Sequence, residues 1–187
     1  MTLSCDKKYQ KRTFGPGVYI NESAIADVQD ISGMTLPFMD HPVDIGIKLF
    51  LEIGRNFQPE LVIAGDFKRD PATGEVIGWG GAFVVQEALS RLGYTGTLTP
   101  TNELPAGILE PLVGKKILRL SYVSGEKDNG KPRYSDWNQI GTPEDGPDDL
   151  LLRWKRSLQR GYPKNYRPQL LEETPAETKP ANGEDTF

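Results

Sequence analysis

From Asp44 to Gly54, Ile45, Ile47, Leu49, Leu51 and Ile53 alternate with Gly46, Lys48, Phe50 and Glu52. A period of two over eleven residues predicts a strand with one buried face. Upstream, Ser23 to Ile31 alternates less cleanly, with Ala24, Ala26 and Val28 on the expected buried face and Asp27 and Gln29 opposite. Downstream, Leu61 to Lys68 reads as a strand, and the turn Pro71-Ala72-Thr73-Gly74 leads into Glu75 to Trp79 as a hairpin. At Gly81 the period changes. Ala82, Val85, Leu89 and Leu92 fall at helical spacing, and Gly93 supplies the stop. After a proline-rich loop, Lys115 to Ser124 and Tyr134 to Ile140 read as strands joined by a charged tip with the turn Asp128-Asn129-Gly130.

Three strands, a helix and two more strands follow the order of a five-stranded oligonucleotide-binding barrel, so the expected class is mainly β, with a helix between strands 3 and 4. The domain reading is a flexible basic arm over residues 1–20, an OB-fold-like domain over 21–141, an acidic-then-basic extension over 142–169 and a disordered acidic tail over 170–187. Within the extension, Leu150 to Gln159 reads as a short helix, with Asp148 and Asp149 at its start and Gly161 at its end.

Charge changes the picture only when it is divided by region. The chain of 187 residues has a formal net charge of -4. The tail alone holds Glu172, Glu173, Glu177, Glu184 and Asp185 against Lys179, so the body is balanced and its local clusters decide what it attracts. The single cysteine, Cys5, predicts no internal disulfide and a reducing compartment. No apolar run reaches the roughly 20 residues of a membrane helix, and no signal-peptide pattern opens the chain, so the expected location is cytoplasmic, that of the host cell if the source is a phage.

Candidate chemistry is sparse on the catalytic side. The only histidine, His41, sits in a loop between Asp40 and Pro42 and forms no nucleophile-base pair in sequence. Asp66, Asp70 and Glu75 surround a turn, and a solvated turn explains them better than a metal. The glycines of Gly78-Trp79-Gly80-Gly81 read as a tight corner rather than a phosphate loop, because no lysine follows at the required spacing. The expectation is a protein that is not an enzyme and needs no cofactor or metal.

The run from Trp154 to Arg167 interleaves Trp154, Tyr162 and Tyr166 with five cations and contains no acid. Single-stranded nucleic acid calls for this mixture, with cations on phosphates and rings on unpaired bases. In an OB-fold the second and third strands and the loop between strands 4 and 5 form the groove. The candidate DNA contacts are therefore Lys48, Phe50, Arg119, Lys131, Arg133, Tyr134, Trp137, Trp154, Lys155, Arg156 and Tyr162. Packing on the barrel is the competing account of Trp137, Trp154 and Phe50.

The tail ends Gly183-Glu184-Asp185-Thr186-Phe187. With the element order above, it resembles the single-stranded-DNA-binding proteins of bacteria and bacteriophages. That resemblance implies a protein that coats and protects single-stranded DNA during replication, recombination or repair. It also implies that Glu184, Asp185 and Phe187 recruit replication or recombination proteins. RNA is an alternative ligand, since stacking and phosphate neutralisation do not read the sugar, and self-association is left open. The rivals are a structural or interaction protein such as a virion component and a metal-dependent nuclease using Asp66, Asp70 and Glu75.

Overall fold

A computed structural model of the chain describes residues 12–52, 59–100 and 103–171. The alternation around Ile47 becomes β3 (Ile45–Glu52), which places Ile45, Ile47, Leu49 and Leu51 wholly inside. Branched side chains on a pleated, half-buried surface favour this conformation. On one side β3 pairs antiparallel with β2 (Val18–Asp30), on the other with β4 (Glu60–Gly65). A short β1 (Arg12–Gly15) also pairs with β2. Beyond the helix come β7 (Lys116–Glu126) and β8 (Pro132–Gly141), joined by a turn in which Gly130 takes φ +77°. The sheet order is β4-β3-β2-β7-β8, and β8 approaches β4 at the seam. The five long strands thus form a nearly closed antiparallel barrel with a helix between the third and fourth, the architecture that the element order predicts.

α1 (Phe83–Arg91) plugs the barrel. Val85, Ala88 and Leu89, with Ala82 and Leu92 at its ends, join the core made by β3, β4, Ile25, Ile117 and Ile140. Its entry depends on a close approach, because a Cβ on Gly65 would lie 2.2 Å from the Gly81 carbonyl carbon and oxygen. The glycine-rich corner is therefore a packing device. The hairpin expected here is shorter than its sequence suggests. β4 ends at Gly65, and only β5 (Lys68–Arg69) and β6 (Val76–Gly78) pair, as a separate two-stranded sheet.

β2 departs from the simple alternation. Val18 and Ile20 are buried in its first half, whereas Ser23 and Ile25 are buried after Glu22, so the buried face switches along one strand. A bulge between Ile25 and Asp27 then breaks the register with β3, which removes Ala24, Ala26 and Val28 as a common buried face. The switch has a cause on the outer side of the sheet. There α2 (Gly146–Gln159) lays Leu150 and Trp154 over Val18, Ile20, Leu118, Leu120, Tyr122 and Trp137 as a second core. Residues 12–20 belong to this arrangement, so the boundary drawn at residue 20 falls inside β2. No helix among the described residues is long and apolar enough to cross a membrane.

Candidate nucleic-acid interface

α2 is held against α1 by a polar network that engages Asp145 and Asp149, two of the four acids preceding the basic segment. Arg153 lies 3.1 Å from Asp149 and 3.7 Å from Glu87, and it donates to the Ile140 carbonyl at 2.7 Å. Arg91 reaches Glu87 and Asp145, each at 3.1 Å. Burial holds the Arg153 guanidinium below the usual arginine range, an effect reinforced by the neighbouring Arg91 and opposed by Glu87 and Asp149. With those acids engaged, Lys155, Arg156, Arg160 and Lys164 have no acidic partner among the described residues. Exposed cations without counter-charges are what a polyanion requires.

A cleft opens between the start of α1, β8 and the end of α2, in two connected cavities of about 430 and 680 Å³ that share Gln139 and Arg160. Phe83, Arg156, Gln159 and Arg160 line the first, together with Arg153 and the Glu87 that Arg91 and Arg153 hold. Gly80, Gly81, Val84, Asn138, Ser157 and Tyr162 line the second, with Trp137 and the Arg119-paired Asp136 in its wall. The bulge in β8, where four steps from Asp136 to Ile140 oppose two from Arg119 to Ser121, turns Trp137 under α2 and brings Asn138 and Gln139 to the cleft. Because Arg153 can only donate, its contact with Gln139 Oε1 leaves the Gln139 amide nitrogen as the free end. Tyr162 is 58 % exposed with the Lys164 ammonium 5.7 Å from its ring centroid, and Phe83 is 51 % exposed.

The sequence-derived contacts do not share one surface. Arg156 and Tyr162 lie in the cleft, and Lys155 is exposed next to Arg156 on α2. Trp137 and Trp154 are corrected: at 4 % and 2 % exposure their rings are packed on each other and on Tyr122, with no face open to a base. Lys48 and Phe50 lie on the outer barrel surface, where the Lys48 ammonium is 3.2 Å from Glu60 and 5.9 Å from the Phe50 centroid. Asp27 and Glu60 pair with Phe50 in register and Glu52 is exposed nearby, so the described part of this surface carries more acid than base and repels phosphate. Arg119 and Tyr134 face the side of the β7–β8 hairpin away from α2. Arg119 meets Asp136 at 3.5 Å, and Tyr134 packs edge-on to Tyr19, where burial first and then Tyr19 push its phenol up to about 12. Lys131 is exposed at the hairpin tip, and Arg133 donates to the Glu126 carbonyl. Glu184, Asp185 and Phe187 lie outside the described residues.

Sequence reasoning missed Phe83, Gln139 and Arg160 as a group, because only the tertiary fold joins them. It also left His41 alone, whereas His41 Nε2 lies 2.6 Å from Asp66 Oδ2 and Nδ1 2.8 Å from Asp40 Oδ1. Hydrogen bonds to Asp40 first and then Asp66 raise the imidazole to about 9. Asp66 also accepts the Asp44 amide, and Asp70 accepts the Ala72 amide of its turn. Among the described residues no three His, Cys, Asp or Glu side chains are placed to hold a metal ion. No protein-family model matches the chain, and no curated protein is significantly similar to it.

Proposed function

We propose that this chain binds single-stranded DNA through the cleft between α1 and α2. What supports the reading most is one observation: Arg156 and Arg160 have no acidic partner among the described residues and stand in a cleft that also exposes Phe83 and Tyr162. The arginines neutralise phosphates while the two rings stack on bases splayed into the cleft, and the amides of Asn138 and Gln139 meet base edges. A duplex offers no open base faces to such rings. The OB-fold-like barrel is compatible with this use, although the proposed contact surface lies beside α2 rather than on the acidic face of β3. By the resemblance drawn above, the role is coating single-stranded DNA during replication or recombination, with Glu184, Asp185 and Phe187 recruiting protein partners. The test is a fluorescence-anisotropy titration with labelled oligo-dT and a matched duplex at two salt concentrations. Tighter binding to the single strand that weakens with salt is the expected result. A flat salt response or a preference for duplex removes the proposal.

A further inference from the structure

The loop between β2 and β3 displays apolar side chains on a scaffold too well built to be slack. Ile31, Leu36 and Val43 form a small core of their own, and Thr35 pairs with Pro42 across the loop. The Gly33 amide donates to the Val43 carbonyl at 2.7 Å and the Val43 amide to the Met34 carbonyl at 3.0 Å. On this frame Phe38 is 74 % exposed and Met34 45 % exposed. Holding an aromatic ring in water on a rigid loop forgoes the stabilisation that its burial brings, so Phe38 with Met34 offers apolar surface that a partner can bury.

The charges around Phe38 argue against a nucleic-acid partner. Asp40 is almost fully exposed, and Asp30, Asp44 and Asp66 lie at the loop's base. His41 is bracketed by Asp40 and Asp66, and Arg69 is bound to Asp44, so neither cation is free for a phosphate. An acidic, aromatic knob fits an aromatic-lined recess with spare positive charge, and the cleft is such a recess: its lining acids Glu87 and Asp136 are held by Arg91, Arg153 and Arg119, which leaves Arg156 and Arg160 beside Phe83 and Tyr162. The two features are also neighbours. Asp66 holds His41 with its carboxylate and accepts the Ala82 amide with its backbone carbonyl, next to Gly80 and Gly81 on the cleft rim. Because the two features lie close together, two copies related by a two-fold axis can exchange them reciprocally, each giving and receiving the same contact.

We propose that two copies of this chain form a reciprocal dimer, each inserting the Phe38 knob into the other's cleft between α1 and α2, with Asp40 facing Arg160. The pairing uses the surface described above but does not depend on its binding DNA.

Sedimentation velocity of the full chain from about 1 µM to about 1 mM covers the range in which a modest interface populates both states. The wild type is expected to pass from monomer to dimer and stop there. Phe38→Ser should weaken the dimer by about tenfold or more, as loss of a buried aromatic requires, while keeping the melting temperature of a fully folded chain. Asp40→Lys and Arg160→Glu should each weaken it, and the doubly substituted chain should recover it. A monomer throughout, assembly beyond two copies, unaltered association of Phe38→Ser, or no recovery in the double variant overturns the proposal. So does a Phe38→Ser chain that loses oligo-dT affinity with its association intact. Oligonucleotide binding is scored separately: a dimer that ignores oligo-dT keeps this inference and removes the preceding one, and a strict monomer that binds oligo-dT does the reverse.

Discussion

Trp137 and Trp154 meet edge to face with ring centroids 5.4 Å apart, between α2 and the β7–β8 hairpin. Tyr122 at 5.0 Å and Tyr166 at 5.4 Å from the Trp154 ring complete the cluster, and the Tyr166 hydroxyl donates to the Pro16 carbonyl. Replacing Trp154 by Ala should therefore act on folding, at a cost of about 3–5 kcal/mol, as for other buried tryptophans. Urea denaturation followed by circular dichroism measures it. A loss below about 1 kcal/mol would return Trp154 to the surface.

Tyr162 should behave in the opposite way. Its exposed ring contributes little to the fold, so Tyr162→Ala should leave the denaturation midpoint in place and lower oligo-dT affinity by about 1–3 kcal/mol. The salt dependence should persist, because no cation is lost. Titrations of this variant at two salt concentrations separate stacking from charge.

Cations are counted by the salt slope. If Lys155, Arg156, Arg160 and Lys164 each meet one phosphate, log K should fall against log salt with a slope of roughly -3, from about -0.7 per contact. Arg160→Ala should shallow it by about 0.7. An unchanged slope in that variant places the DNA elsewhere.

The network between α1 and α2 offers a stability test. Arg153→Ala would take from Asp149 its closest partner and from the Ile140 carbonyl its Arg153 donor, leaving Glu87 and Asp149 to Arg91 alone. Because these side chains keep some water contact, the expected loss exceeds about 1 kcal/mol but stays under the roughly 3–5 kcal/mol of a fully buried pair. Urea denaturation measures the loss, and a change below about 1 kcal/mol would mean that Arg91 carries the network without Arg153.

The His41 latch has a pH signature. Its native pKa, raised to about 9 by Asp40 and Asp66, lies above the ordinary value of 6.5. The stabilisation it gives is complete below 6.5 and fades as pH rises through about 9. Proton NMR of the His41 ring should titrate near 9, and Asp66→Asn should move that midpoint down toward 6.5. A midpoint near 6.5 in the unaltered chain means that the ring is not bracketed in solution.

How much of this was legible varies by element. The β3 strand and the α1 stripe of Ala82, Val85, Leu89 and Leu92 could be read directly, because one uninterrupted period reports one buried face. β2 could not, since the side it buries is set by α2, more than a hundred residues later. Trp154 misled because cations flank it in sequence, yet Leu150 and Trp154 stand four residues apart on one helical stripe, a signal available beforehand. The cleft was out of reach, because its walls come from the start of α1, a bulge in β8 and the end of α2, which are distant in sequence.

α2 writes two messages on interleaved positions of one helix. Leu150, Trp154 and Ser157 face the barrel, whereas Lys155 and Arg156 face outward in the same turns. Selection can consequently tune how strongly this protein grips a polyanion by exchanging outward letters one at a time, while the inward letters keep the helix docked. Affinity and thermal robustness can thus drift separately between lineages, although the two are encoded within a stretch of fewer than ten residues.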